Sequence, residues 1–276
     1  MGQKSSKRTE DSVQAKAKAM REAQAKADRR TRNMIIAAVS IIVVAIIAAL
    51  VFVVTNEGSK NPSPSNEAIP TQFENGEPIV VSHLGVGVRD ENLPDLEEYF
   101  SYTCSWCAYL DSAVGEKFAE AAKNGEFNYI LQPVNTAYMP FQGPATFASL
   151  QVAANAPDQF LAFHQALTDY FYGQLQAQDQ SVIGNADSSQ AQVVTLAQQV
   201  GVPEDVINQF GGTAEAYLEK TTKAWTEADV QGREGSLGTP ELVFEGSKVA
   251  WQQGTPDEIW AGILESLKAL GFTPAS

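Results

Sequence analysis

The chain has 276 residues, with 19 basic and 33 acidic side chains, two cysteines and two histidines, and a formal net charge of −14. The charge is unevenly spread: residues 1–33 carry ten Lys or Arg against four acids, a surplus of +6, whereas residues 34–276 carry −20. So acidic a bulk argues against a nucleic-acid partner, and two cysteines are too few for a disulfide-stapled scaffold.

The basic leader, DSVQAKAKAMREAQAKADRRTRN, is rich in helix formers and reads as a solvated tail over residues 1–33. After it comes MIIAAVSIIVVAIIAALVFVV, residues 34–54, without one charge or proline. As a helix this run spans roughly 30 Å, the hydrocarbon thickness of a bilayer. It lacks the polar stripe of a core helix and exceeds the apolar region of a signal peptide. A single uncleaved transmembrane helix is therefore expected. Basic residues crowd its entry side, which puts the N-terminus in the cytoplasm and the rest outside the cell membrane. Residues 55–75 are rich in Pro, Ser and Asn and are expected to be a flexible linker with a reach of about 25 Å.

The folded part is expected over 76–276. IVVS (79–82), LEEYFSY (96–102) and FNYILQPV (127–134) read as strands. Between the last two, CAYLDSAVGEKFAEAAKNG (107–125) places Leu110, Val114, Phe118 and Ala122 at helical spacing before an Asn-Gly stop. Strand, helix, strand is the unit of a parallel pairing. From about 141 to 235 the pattern turns helical, with FLAFHQALTDYF (160–171), SSQAQVVTLAQQVG (188–201), PEDVINQFGG (203–212) and AEAYLEKTTKAWTEADV (214–230). GTPELVFEG (238–246) reads as a strand, and VAWQQG (249–254) as a possible edge strand. A final helix starts with Thr255 as cap, Pro256 at its first position and Glu258 closing a capping box; Gly271 ends it. The sum is an α/β domain, a mixed sheet with a helical insertion.

The chemistry concentrates in Cys104-Ser105-Trp106-Cys107. A structural disulfide across two residues would constrain the unfolded chain little. A zinc site needs about four ligands, and only His83 and His164 remain to complete one. The third reading is a redox dithiol at a strand-to-helix junction. There Cys104 caps a helix whose unpaired N–H groups stabilise a thiolate, and Cys107, one turn on, can attack a mixed disulfide. An exported domain with no other cysteine sits where disulfides persist and spends none on its own stability, which favours the third reading.

Taken together, LEEYFSYTCSWC, FLAFHQAL and GTPELVFEG resemble the active-site strand and motif, the inserted helix and the cis-proline loop of the DsbA family of thiol–disulfide oxidoreductases, of a membrane-anchored bacterial type. The resemblance covers about residues 76–273 and implies a thioredoxin-like fold. It implies Cys104 as the exposed nucleophile and Cys107 as the buried resolving thiol. It also implies a cis bond before Pro240, with Thr239 tuning the nucleophile and offering backbone groups to an extended substrate. Glu98 matches the family's buried acid and would relay the Cys107 proton; Glu97 is its competitor. Many family oxidases carry Pro-His between the cysteines. Here Ser105 and Trp106 stand there, and they are expected to contact substrate instead. His164 is read as structural.

The expected function is a membrane-tethered dithiol oxidase of cysteine-containing exported proteins, with no cofactor beyond the Cys104–Cys107 disulfide, no metal, and a membrane redox partner that recycles the pair. A reductase or isomerase of the same fold, a metallochaperone and a non-enzymatic thioredoxin-like binding module remain open alternatives.

Overall fold

The computed structural model describes residues 68–136 and 139–274. The expected tail, the expected membrane span at 34–54 and most of the expected linker lie outside them. Among the described residues no helix is long and apolar enough to cross a membrane.

Six strands form one mixed sheet in the order β2-β1-β4-β3-β5-β6. They are β1 (Ile79–Ser82), β2 (Gly85–Val86), β3 (Asp95–Phe100), β4 (Asn128–Pro133), β5 (Glu241–Phe244) and β6 (Ser247–Val249). β3 and β4 run parallel and every other pairing is antiparallel. Parallel neighbours need a crossover, and helix α1 (Ser105–Lys123) supplies it. Buried Leu110, Val114, Phe118 and Ala122 line one of its faces, as their spacing predicts. β3 is flanked on both sides: Glu98 pairs with Leu131 of β4 and with Leu242 of β5. A side chain there is at the centre of the sheet, far from any edge.

Between β4 and β5 lies the helical insertion. It comprises α2 (Gln142–Asn155), α3 (Pro157–Ala177), α4 (Ala186–Gln199), α5 (Glu204–Ile207) and α6 (Glu215–Glu227). α1 packs against both the sheet and α3, so the active-site helix is clamped between the two parts of the domain. The closing helix α7 (Pro256–Ala269) carries the complete Thr255–Glu258 capping box and buries Ile259, Ile263 and Leu267.

Four local readings shift. Helix α2 had no sequence signature because eleven of its fourteen residues are buried, which leaves no polar stripe to give a period. The edge strand is Ser247–Val249 and not 249–254, since the turn after Phe244 is short and Glu245 and Gly246 take positive φ to close it. PEDVINQFGG forms a single helical turn, Glu204–Ile207. Within the expected linker, Thr71–Phe73 make a 3-10 turn, Phe73 is buried, and Gln151 Nε2 donates to the Ala68 carbonyl. Phe73 in the core, Ile69 packed against it, and side-chain donors to the Ala68 and Glu74 carbonyls hold this otherwise polar segment on the domain.

Candidate active site

β3 ends at Phe100, and Ser101-Tyr102-Thr103 turn the chain into α1. The turn is fixed by Gln142 at the start of α2: its Oε1 accepts from the Ser101 hydroxyl at 2.7 Å and from the Thr103 N–H at 3.2 Å. Cys104 is the N-cap of α1, in extended conformation, and its sulfur accepts from the Cys107 N–H at 3.2 Å. A helix N-terminus with a sulfur in the capping position puts unpaired N–H groups and the positive end of the macrodipole on that sulfur.

On its other side the Cys104 thiol donates to the Thr239 carbonyl at 3.2 Å. The Thr239–Pro240 bond is cis. Thr239 is also held from β4's end by Thr136, hydroxyl to hydroxyl at 3.2 Å. Immediately after Pro240, Glu241 is 3% exposed and grips three groups. Arg233 donates to it twice, at 3.0 and 2.7 Å, and the Trp225 indole donates at 2.7 Å. The proline loop is thus tied to helix α6 by a buried, fully hydrogen-bonded ion pair.

The two sulfurs sit in unlike surroundings, and both cysteines are free thiols. Cys104 is partly exposed, while Cys107 is 2% exposed. Hydrogen bonding from the Cys107 thiol, and then from Thr239 and the Cys107 and Trp106 N–H groups, outweighs burial and brings Cys104 down from 9.0 to about 6. Burial pushes Cys107 well up, and the nearby Cys104 and Glu98 add to it. One thiol is ionised near neutrality and reachable; the other keeps its proton under a lid of protein. Such a pair can attack a disulfide and then release itself.

Below the pair, Glu98 is 2% exposed and accepts a short hydrogen bond from the Tyr129 hydroxyl. Burial raises its carboxyl well above the usual range, with Asp111 and Cys104 adding to the shift and Tyr129 opposing it. Its competitor Glu97 is only half-buried and bonds to Tyr99 on the other face of the sheet, away from the sulfurs. Ser105 and Trp106 are exposed, Trp106 at 47%, with its ring edge-on to Tyr109. The structure thus gathers Cys104, Ser105, Trp106, Thr239 and Pro240 at the surface, with Cys107 and Glu98 buried beneath.

A family model described as Thioredoxin matches residues 90–262, well over half the chain, and spans both cysteines, the inserted helices and the proline loop. The chain belongs to the thioredoxin family. Its fold is the DsbA-like variant, a thioredoxin sheet with inserted helices. The solved structure of MdbA, a thiol-disulfide oxidoreductase from Actinomyces oris, is similar with a TM-score of 0.58 and 21% identity, over 76% of this chain and 97% of that one. BdbD from Bacillus subtilis is 17% identical over 70% of this chain and 94% of its own, with a TM-score of 0.48. DsbA from Mycobacterium tuberculosis is 19% identical over 69% and 92%, with a TM-score of 0.45. At these identities the likeness is one of fold. No curated protein matches the chain.

In this thioredoxin-family domain several contributors had no signal in the sequence. Gln142, Glu241 and Arg233 look like ordinary polar residues until their burial is known. Leu237, two residues before Thr239, is 40% exposed and stands with Trp106 among the exposed large apolar side chains. Asp111, four residues after Cys107, is 6% exposed and meets His164 of α3. Its helical offset from Cys107 was readable, but its burial was not. Among the described residues no group of three or more His, Cys, Asp or Glu side chains gathers as a metal site would require.

Proposed function

We propose that this thiol–disulfide oxidoreductase works as a membrane-tethered dithiol oxidase of exported, cysteine-containing proteins. The observation that carries the reading is the inequality of the two sulfurs: Cys104 brought down to about 6 and Cys107 pushed well up. A stabilised Cys104 thiolate favours the dithiol form, which makes the corresponding disulfide a good electron acceptor. The uncharged run at 34–54 and the basic residues before it support a single-pass anchor with the N-terminus in the cytoplasm. On this reading residues 1–33 are the cytoplasmic tail, the tether begins at 55, and the enzyme acts outside the cell.

In the oxidised protein a substrate thiolate attacks Cys104. The Cys104–Cys107 bond breaks, a mixed disulfide forms, and the pair of electrons leaves on Cys107. Glu98 is the group suited to give that buried sulfur a proton. The substrate's second thiolate then attacks its own sulfur in the mixed disulfide and expels Cys104, which leaves easily because its thiolate is stabilised. Thr239 and Pro240 lie where an extended substrate would pair its backbone, and Ser105 and Trp106 where its side chains would rest. A membrane redox protein would return the dithiol to the disulfide.

Equilibrating the full chain with glutathione buffers tests the direction of exchange. An oxidase has a potential well above the roughly −270 mV of thioredoxin. A potential near that of thioredoxin, with brisk insulin reduction, would instead assign a reductase or isomerase. That second reading draws on Trp106, which stands where many oxidases place a histidine and cannot contribute a positive charge.

A further inference from the structure

Behind the resolving cysteine lies a second set of buried ionisable groups. Asp111 is one helical turn past Cys107 on α1, and its Oδ2 is 3.0 Å from His164 Nε2, with both side chains 5% exposed. The imidazole is pinned from behind. Its Nδ1 is 2.9 Å from the Tyr102 hydroxyl, which is 2.7 Å from Ser149 Oγ on α2. Phe100 packs edge-on and Phe160 face-on against the same ring, with centroids 5.2 and 5.8 Å away.

Two features make this couple more than a satisfied core histidine. Nε2 has no aligned hydrogen-bond partner despite the nearby carboxylate, because Asp111 lies off the ring N–H direction. Buried ring nitrogens are nearly always properly paired in cores selected for stability alone. Gly115 is the other feature. A Cβ there would lie 2.7 Å from Asp111 Oδ1 and 3.0 Å from Gln165 Oε1, so the carboxylate occupies room that only glycine leaves. A glycine inside a helix costs about 1 kcal/mol relative to alanine. Burying an acid costs more, and packed apolar residues would serve stability as well or better.

The groups facing Asp111 come from every element around it. β3 contributes Glu98, and β4 Tyr129. Tyr102 approaches from the turn before α1, and α3 supplies His164 and Asp169. The acid that answers to Asp111 and also faces both sulfurs is Glu98.

We propose that Asp111, held in place by His164, is a positioning residue for exchange: its buried carboxyl group keeps at Glu98 the proton that passes to Cys107 as the disulfide opens. When a substrate thiolate takes Cys104, the electron pair of the broken S–S bond leaves on Cys107 and the carboxylic proton of Glu98 moves to that sulfur, which leaves a neutral thiol and a carboxylate. Two neighbouring carboxylates resist ionising together, so Asp111 extends the pH range in which Glu98 is loaded. The inference rests on the exchange reading above and specifies how the buried proton is held.

The test is the rate at which dithiothreitol opens the disulfide of the oxidised full chain, divided by the thiolate concentration and followed against pH. In the wild type this corrected rate falls where Glu98 gives up its proton. Asp111→Asn should move the fall to lower pH by about one unit, the scale of a neighbouring charge. Asp111→Glu should restore part of the shift, and the Cys104 thiolate midpoint of the reduced protein should stay in place. Gly115→Ala, which keeps every charge but crowds Asp111 Oδ1, should shift the fall in the same direction by less, and it decides alone if Asp111→Asn does not fold. Profiles of both variants that superimpose on the wild type overturn the proposal and leave exchange intact. A wild-type disulfide that dithiothreitol does not open overturns the exchange reading itself.

Discussion

The Cys104 thiol and the Thr239 carbonyl, 135 residues apart in sequence, meet at 3.2 Å. Helix α1 brings the sulfur and the proline loop brings the carbonyl, so the site is only as well formed as the two supports behind it. One support is the capping geometry of α1. The other is the ion pair that follows Pro240.

That ion pair makes a direct prediction. Arg233 and Glu241 are both largely buried, at 13% and 2% side-chain exposure, and share two hydrogen bonds. Removing one partner strands the other charge, which typically costs about 3–5 kcal/mol. Arg233→Met should lower the melting temperature sharply and slow exchange, because the Thr239 carbonyl is only two residues from Glu241. The double variant Arg233→Met/Glu241→Met should regain most of the stability, since a buried pair exchanged for apolar groups is often neutral. Thermal unfolding of Arg233→Met, Glu241→Met and the double variant, followed by circular dichroism, reads the cycle; a double variant as unstable as the two singles would contradict it.

Stability should depend on redox state and on pH together. In the reduced protein Cys104 has a lowered folded pKa, about 6 against 9.0, so its ionised form favours the folded state. That contribution is fully present above the unfolded value and is lost as pH falls through about 6. The disulfide form has no such thiolate. The reduced chain should therefore melt above the oxidised chain at pH 7–8, by an amount worth roughly 1–3 kcal/mol at most, and the gap should shrink toward pH 5. Calorimetry on both forms across that range checks this; an oxidised form that is the more stable at pH 8 runs against the account.

Trapping separates the cysteines' roles. With Cys107→Ala, Cys104 keeps its helix N-terminus and its exposure but has no partner to release it. Covalent complexes with substrate proteins should accumulate and dissolve on reduction. Cys104→Ser should trap nothing, because Cys107 is 2% exposed and keeps its proton. Non-reducing electrophoresis shows the difference. A thioredoxin-like scaffold that only binds partners would give no covalent complex with Cys107→Ala and the same pulled-down partners with either variant.

Much of this was legible in the residues. The period of Leu110, Val114, Phe118 and Ala122 drew α1 correctly, and the Thr255-Pro256-Glu258 signature drew α7. Both helices have one wet face and one dry face, so pattern and position agree. Helix α2 lay inside the helical stretch expected from about 141, but it is dry all round and so showed no period that would draw its bounds. The cysteines announced themselves by spacing. Their surroundings did not, since Asp111, His164 and Tyr102 are brought together from α1, α3 and the turn after β3. The resemblance already implied a buried Cys107; only packing shows that Asp111, one helical turn on, is buried as well. His164, read as structural, does sit in the core, yet it faces an acid rather than a simple acceptor.

The central claim is that helix α1 and its neighbours hold the Cys104 sulfur as a thiolate at neutral pH. Ultraviolet absorbance of the reduced full chain near 240 nm, with Cys104→Ser as the blank, follows that single ionisation. The account predicts a midpoint near pH 6. A midpoint near the ordinary thiol value, with slow alkylation at pH 7, would contradict it.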